Sequence, residues 1–138
     1  MQLSLLISDN SLEDSTQTAL KKYARADFLA YQNKNDEAIN ALGDILENHK
    51  GEKIEDEALL KQAQLYEKLK KYDDAQLNYQ KIITFYGNGI LADDAYYALG
   101  ELYRTVFNDP IKAKEQYEKI IYNCYCITYT NKYRLCAK

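Results

Sequence analysis

Between residues 19 and 122, apolar side chains return every three or four positions, and the runs are broken at regular distances by clusters of Asn, Asp, Gly and Pro. Such spacing stacks apolar side chains along one face of an α-helix, whereas a half-buried strand would alternate. The breaks predict helices over 2–8, 15–33, 36–48, 54–70, 73–86, 90–106 and 110–122. Asn35-Asp36, Tyr72-Asp73-Asp74 and Asn108-Asp109-Pro110 mark helix starts. Acids suit the positive end of a helix, and Pro suits the first turn, where its missing N–H would be unpaired anyway. His49-Lys50-Gly51 and Gly87-Asn88-Gly89 mark helix ends, with residues that tolerate left-handed backbone angles. Helices of about 15 residues span roughly 22 Å and suit antiparallel hairpins.

The helices repeat. Ala26, Ala63 and Gly100 are separated by 37 and 37 residues, and each is followed three positions later by Leu29, Tyr66 or Tyr103. A second series runs through Ala38, Ala75 and Ala113, at spacings of 37 and 38. Leu42, Tyr79 or Tyr117 follows four positions later, and Ile45, Ile82 or Ile120 seven later. Small residues in register let two helices approach closely while the large ones interlock around them. A period in this range is the signature of stacked helical hairpins.

The residues that carry the period resemble the tetratricopeptide repeat, W-x2-L-G-x2-Y, then A-x3-F, then P. The third unit is nearest, with Tyr96-x2-Leu99-Gly100-x2-Tyr103 and then Ala113-x3-Tyr117. The second has Leu59-x2-Gln62-Ala63-x2-Tyr66 and Ala75-x3-Tyr79; the first has Lys22-x2-Arg25-Ala26-x2-Leu29 and Ala38-x3-Leu42. Residues 19–122 are covered. Three departures stand out: a period longer than the usual 34, which assigns about three extra residues to each inter-repeat loop; no Pro at the repeat ends; and Lys22 and Arg25 at apolar positions, which would face a preceding repeat. "ADDA" at Ala92–Ala95 is similar to helix entries in bacterial cell-envelope repeat proteins, including the periplasmic helper of the Tol-Pal system and large repeat proteins of Bacteroidetes.

The resemblance implies an all-α fold: an α-solenoid of three antiparallel helix-turn-helix hairpins in a right-handed superhelix, with an N-terminal half helix and an atypical C-terminal tail. Residues 1–14 form a partial helix and loop, 15–51, 52–89 and 90–122 the three repeats, and 123–138 a tail or cap. Met1–Ser8 reads as the second half of a helix begun elsewhere, as in a piece excised from a longer protein. The resemblance also implies a peptide or partner helix held on the concave face, lined by the first helix of each hairpin. Its candidates are Tyr23, Asp27 and Tyr31, then Leu60, Gln64, Glu67 and Lys68, then Tyr97, Glu101 and Arg104. Tyr96 and Tyr103 fall on motif positions between helices, so only Tyr97 of "AYYALGELY" is left for a ligand. The basic pair and Asn with which some chaperone-binding repeats clamp a C-terminal carboxylate are missing from these positions.

Charge and composition narrow the chemistry. Eighteen Lys and Arg against 21 Asp and Glu leave a net charge of -3, with no broad basic field for nucleic acid. Leu3–Ile7 is too short and wrongly flanked for a signal peptide, and nothing approaches the roughly 20 apolar residues of a membrane span. All Ser lie at positions 4, 8, 11 and 15, and the chain has one His, so a Ser-His-acid or Cys-His arrangement lacks material. Asp73-Asp74 and Asp93-Asp94 open helices, where adjacent side chains diverge by about 100° and helix capping accounts for them. The reading is non-enzymatic, without cofactor or metal.

The tail "YNCYCITYTNKYRLCAK" holds all three Cys and no acid. Its β-leaning Thr, Tyr and Ile leave three readings open: a divergent cap, a segment pairing with another chain, or an out-of-frame ending. Cys124-x-Cys126 with Cys136 lacks the ligand set of a zinc site, since His49 lies far upstream; a disulfide to Cys136 competes with plain thiols. A second expectation of function is a rigid spacer or self-association segment that contacts partners, or a second copy in a homodimer, through its apolar ends.

Overall fold

The computed structural model describes the backbone of residues 11–131 and the side chains of residues 16–121. Within that range lie helices α1 (Ser11–Tyr31), α2 (Asn35–Asn48), α3 (Ile54–Lys68), α4 (Tyr72–Tyr86), α5 (Ile90–Thr105) and α6 (Pro110–Asn131), with no strand among the described residues. The expected all-α class is what forms. The helix expected over 2–8 and the tail beyond 131 lie outside the described residues, as do the side chains of Cys124, Cys126 and Cys136.

The chain divides into two compact units, one ending at Lys70 and one starting at Lys71. In the first, α1 packs along α2, α2 along α3, and α3 also touches α1. In the second, α4 packs along α5 and α5 along α6. Within each unit, neighbours in sequence are neighbours in space, as in stacked helical hairpins.

The small residues sit where the register expects them. Ala26, Ala38, Ala63 and Ala75 are wholly buried, Ala113 nearly so, and Gly100 is buried. Leu42, Ile45 and Leu65 fill the first unit around Ala26 and Ala38. Fully burying a side chain of that size contributes about 1.5 to 3 kcal/mol, more than any one surface pair supplies. Gln62 enters this core without penalty because its Nε2 donates to the Ile39 carbonyl at 3.1 Å. In the second unit Ala95, Leu99, Leu102 and Tyr103 are buried on α5.

The left-handed residues are not where the sequence suggests. Gly51 takes φ +81°, but Gly87 and Gly89 take −58° and −82°, so the second linker turns without left-handed geometry. Positive φ falls instead inside the turns after α1, α3 and α5, at Asn33 (62°), Lys70 (61°) and Asn108 (54°). After α1 the turn closes with Asn33 N–H donating to Ala30 O and Lys34 N–H to Leu29 O, a pairing that satisfies the last helical carbonyls. After α5 it is one residue longer, and Asp109 N–H reaches back to Tyr103 O at 2.8 Å. That extra residue is the step from 37 to 38 in the second small-residue series.

Three other expectations need correction. Of the proposed capping acids, Asp109 accepts a cap-type bond, from Lys112 N–H at 3.0 Å; the residues before α2, α4 and α5, Lys34, Lys71 and Gly89, supply no side-chain cap. Asp36, Asp73, Asp74 and Asp93 act through their first-turn positions against the helix's positive end. The extra residues of the long period do not all lie in loops: 49–53 link α2 to α3, but only 87–89 link α4 to α5. Finally, α6 does not end at 122 but continues to Asn131. Residues 123–131 contain neither Gly nor Pro, so extending a helix already nucleated costs each residue only tenths of a kcal/mol, roughly, against Ala.

Candidate functional site

Helical spacing places side chains four apart on one face, and two such faces carry most of the candidate residues. In the first unit, Tyr23, Asp27 and Tyr31 climb α1 while Glu57, Lys61, Gln64 and Lys68 climb α3. Lys61 Nζ bridges to Asp27 Oδ1 at 2.5 Å, joining the two helices. Tyr23 is half-buried against the core, and its hydroxyl is held above the usual tyrosine range by burial, then by the carboxylates of Glu57 and Asp27. Tyr31 stands 85% exposed. Gln64 and Lys68 are exposed, while Leu60 and Glu67, one step round the helix, are half-buried. Tyr23 therefore serves partly as core, and Lys61, which is not among the groove candidates, makes the cross-helix bond beside Leu60.

In the second unit, Tyr97, Glu101 and Arg104 share one face of α5, as expected. Tyr97 is 58% exposed. Arg104 Nη2 donates to Glu101 Oε2 at 2.7 Å, and its Nε donates to Oε1 at 3.3 Å. The surprise is Tyr117 on α6. Its hydroxyl donates to Glu101 Oε1, and its ring lies 6.1 Å from that of Tyr97, tilted by 50°. The carboxyl of Glu101 is held below the ordinary glutamate value first by the Arg104 bond and then by Tyr117. Arg104 is held correspondingly high by Glu101, and Tyr117 is pushed up by burial and by its carboxylate partner.

Gly100 explains why Tyr117 can stand there. A Cβ at residue 100 would meet Tyr117 Cε1 at 2.7 Å and Cζ at 3.0 Å, so the bare backbone is the seat of the ring. From the sequence Tyr117 reads as the large core residue of Ala-x3-large. The signal for its second role was the single Gly in the small-residue series, directly before Glu101. Tyr103 behaves as the register expects: it is buried, and its hydroxyl accepts a bond from Gln76 Nε2 of α4 at 2.9 Å. Its ring packs near Phe107, with Lys112 Nζ 5.6 Å from the ring centre.

Lys22 and Arg25, expected to face a preceding repeat, line an open cleft between α1 and α2 above Leu29 and Ala41. Lys22 Nζ meets Asp44 Oδ2 at 2.7 Å across it, and this bond keeps Asp44 below the usual aspartate value. Asp73 and Asp74 are exposed in the opening turn of α4, and Asp94 is exposed just past that of α5. No group of three His, Cys, Asp or Glu side chains among the described residues is arranged to hold a metal ion. No described helix is long and apolar enough to cross a membrane.

Residues 57–89 match the family model of the tetratricopeptide repeat. The match spans most of α3, all of α4 and the linker after it. No curated protein matches the chain. This segment is therefore similar to one tetratricopeptide repeat, a kind of repeat that generally mediates protein–protein interaction and typically belongs to non-enzymatic scaffolds.

Proposed function

We propose that the chain is a non-catalytic protein-binding module whose units each offer a face of first-helix positions to a peptide or partner helix: Tyr23, Asp27, Tyr31, Gln64 and Lys68 in one unit, and separately Tyr97, Glu101 and Arg104 in the other. One observation carries this reading. A tyrosine followed four residues later by an acid recurs at the same register, as Tyr23-Asp27 and Tyr97-Glu101, and the second copy is left largely open with Tyr97 58% exposed. Tyrosine supplies large contact area for little lost side-chain freedom and is enriched at binding hot spots. The "ADDA" entry to α5 supports a bacterial cell-envelope setting.

Affinity selection of displayed peptides on the intact chain tests the proposal. Selected peptides should lose about tenfold in affinity when Tyr97 becomes Ala, the effect of removing a hot-spot side chain; unchanged affinity removes the face from consideration. The competing spacer or self-association reading rests on exposed Leu20 and Phe28 of α1 and exposed Ile111 and Ile121 of α6. Light scattering against concentration separates the two, because association through these residues makes mass rise with concentration while a monomeric binder keeps it constant.

A further inference from the structure

The two Tyr-acid pairs differ in what sits on the acid. In the first unit the carboxylate of Asp27 receives an ammonium, Lys61 Nζ at 2.5 Å, from α3, which packs beside the α1–α2 hairpin. Glu101 occupies the equivalent register position two repeats on, and its oxygens are taken by Tyr117 and by Arg104 of its own helix. An exposed pair three residues apart on one helix is weak, and Arg104 at 58% exposed can leave it without disturbing any packing. What remains is a carboxylate held in place by the Tyr117 hydroxyl, on the same helix face as Tyr97, whose ring lies 6.1 Å from that of Tyr117. A carboxylate with aromatic rings close by is an environment that attracts a cation.

We infer that Tyr97, Glu101 and Tyr117 form a receptor for a lysine side chain presented by a partner helix, which takes Glu101 Oε2 from Arg104 as Lys61 takes Asp27 in the first unit. The inference rests on the protein-binding reading above and specifies its partner: an amphipathic helix with Lys at the position that Lys61 holds in α3. Its apolar positions, equivalent to Ala58 and Leu65, both buried in the first unit, would lie against the hairpin while the ammonium meets Glu101. Charge complementarity and the internal precedent both favour lysine over an acidic or apolar residue at that point.

The test uses the full chain and a synthetic 15-residue peptide of the α3 sequence, Ile54–Lys68, with its position 61 varied through Lys, Arg, Met and Glu. Fluorescence polarisation should rank Lys and Arg above Met by about tenfold, with Glu weakest, in line with an interfacial charge pair. The preference should vanish in Glu101→Gln protein, which keeps the side chain's shape, and survive Asp27→Asn. If the peptides bind but position 61 makes no difference, or if Asp27→Asn rather than Glu101→Gln removes the preference, the lysine receptor is overturned. Absence of any binding by the Lys peptide also overturns it, whereas the wider protein-binding reading stands or falls separately on the displayed peptides and Tyr97→Ala.

Discussion

The α1–α2 and α5–α6 hairpins solve one packing problem with different pairs of residues. The first sets Ala26 and Leu42, both wholly buried, into one aliphatic core. The second sets Gly100 beneath Tyr117, taking one methyl from the small partner and giving an aromatic ring to the large one. The exchange alters more than volume. Leu42 ends in the core, but a tyrosine lying across glycine reaches the helix surface, where its hydroxyl finds Glu101. A substitution at a core position has in this way changed the chemistry of the face outside it.

The largest test of this comparison is Gly100→Ala. At an exposed helix position that change gains about 1 kcal/mol of helix propensity. Here the new Cβ would displace a ring held by Glu101, and overpacking of about 1 to 3 kcal/mol should outweigh the gain and leave a net loss near 1 kcal/mol. In a Tyr117→Leu background, which restores the pairing of the first hairpin, the same substitution should stabilise. Urea denaturation of the parent and the three variants decides it, and stabilisation by Gly100→Ala alone would break the comparison.

A smaller effect belongs to the turns. Asn33 and Asn108 occupy the left-handed position in the two hairpins, and Lys70 occupies it after α3. Asn enters this region readily, whereas Lys pays roughly 1 kcal/mol or more. Lys70→Gly should therefore raise stability by about 0.5 to 1 kcal/mol, net of the greater freedom glycine brings to the unfolded chain. Asn33→Gly and Asn108→Gly should change it less. Equal effects at all three positions would show that side-chain identity at the turn is immaterial.

The smallest effect is electrostatic. Because the folded protein lowers the pKa of Glu101, its contribution to stability is fully present above the ordinary glutamate value and is lost as pH falls through the lowered folded value. An NMR titration should find the Glu101 carboxyl ionising below ordinary glutamate. Arg104→Gln should move it up by more than Tyr117→Phe does, because the Arg104 bond is the leading cause. An ordinary titration in the unsubstituted chain would mean that the Glu101 cluster is not formed in solution.

Periodic information was legible in the sequence, whereas turn geometry and contacts between helices were not. Helix positions follow from apolar spacing, and the six small positions follow from the repeat, because both are set by residues a few places apart or by a period that is visible along the chain. The left-handed position at Lys70 is not legible because Lys is a poor candidate by residue type; there the geometry of closing a turn between two helices overrides local preference. The end of α6 is not legible because the β-leaning composition of residues 123–131 does not stop a helix that, once started, extends at little cost. The bond from Lys61 to Asp27 is not legible in the sequence, because a side chain's partner on another helix depends on a rotation that one helix does not record.

The sequence by itself determined the class of the fold, the helices and the six points of close approach, since helix periodicity and the volume of small residues act wherever the chain goes. Tertiary structure decided the surface chemistry. That Asp27 meets Lys61, and that Tyr117 leaves the core to hold Glu101 beside Tyr97, depends on distances between residues of different helices, and those distances exist only once the helices have packed.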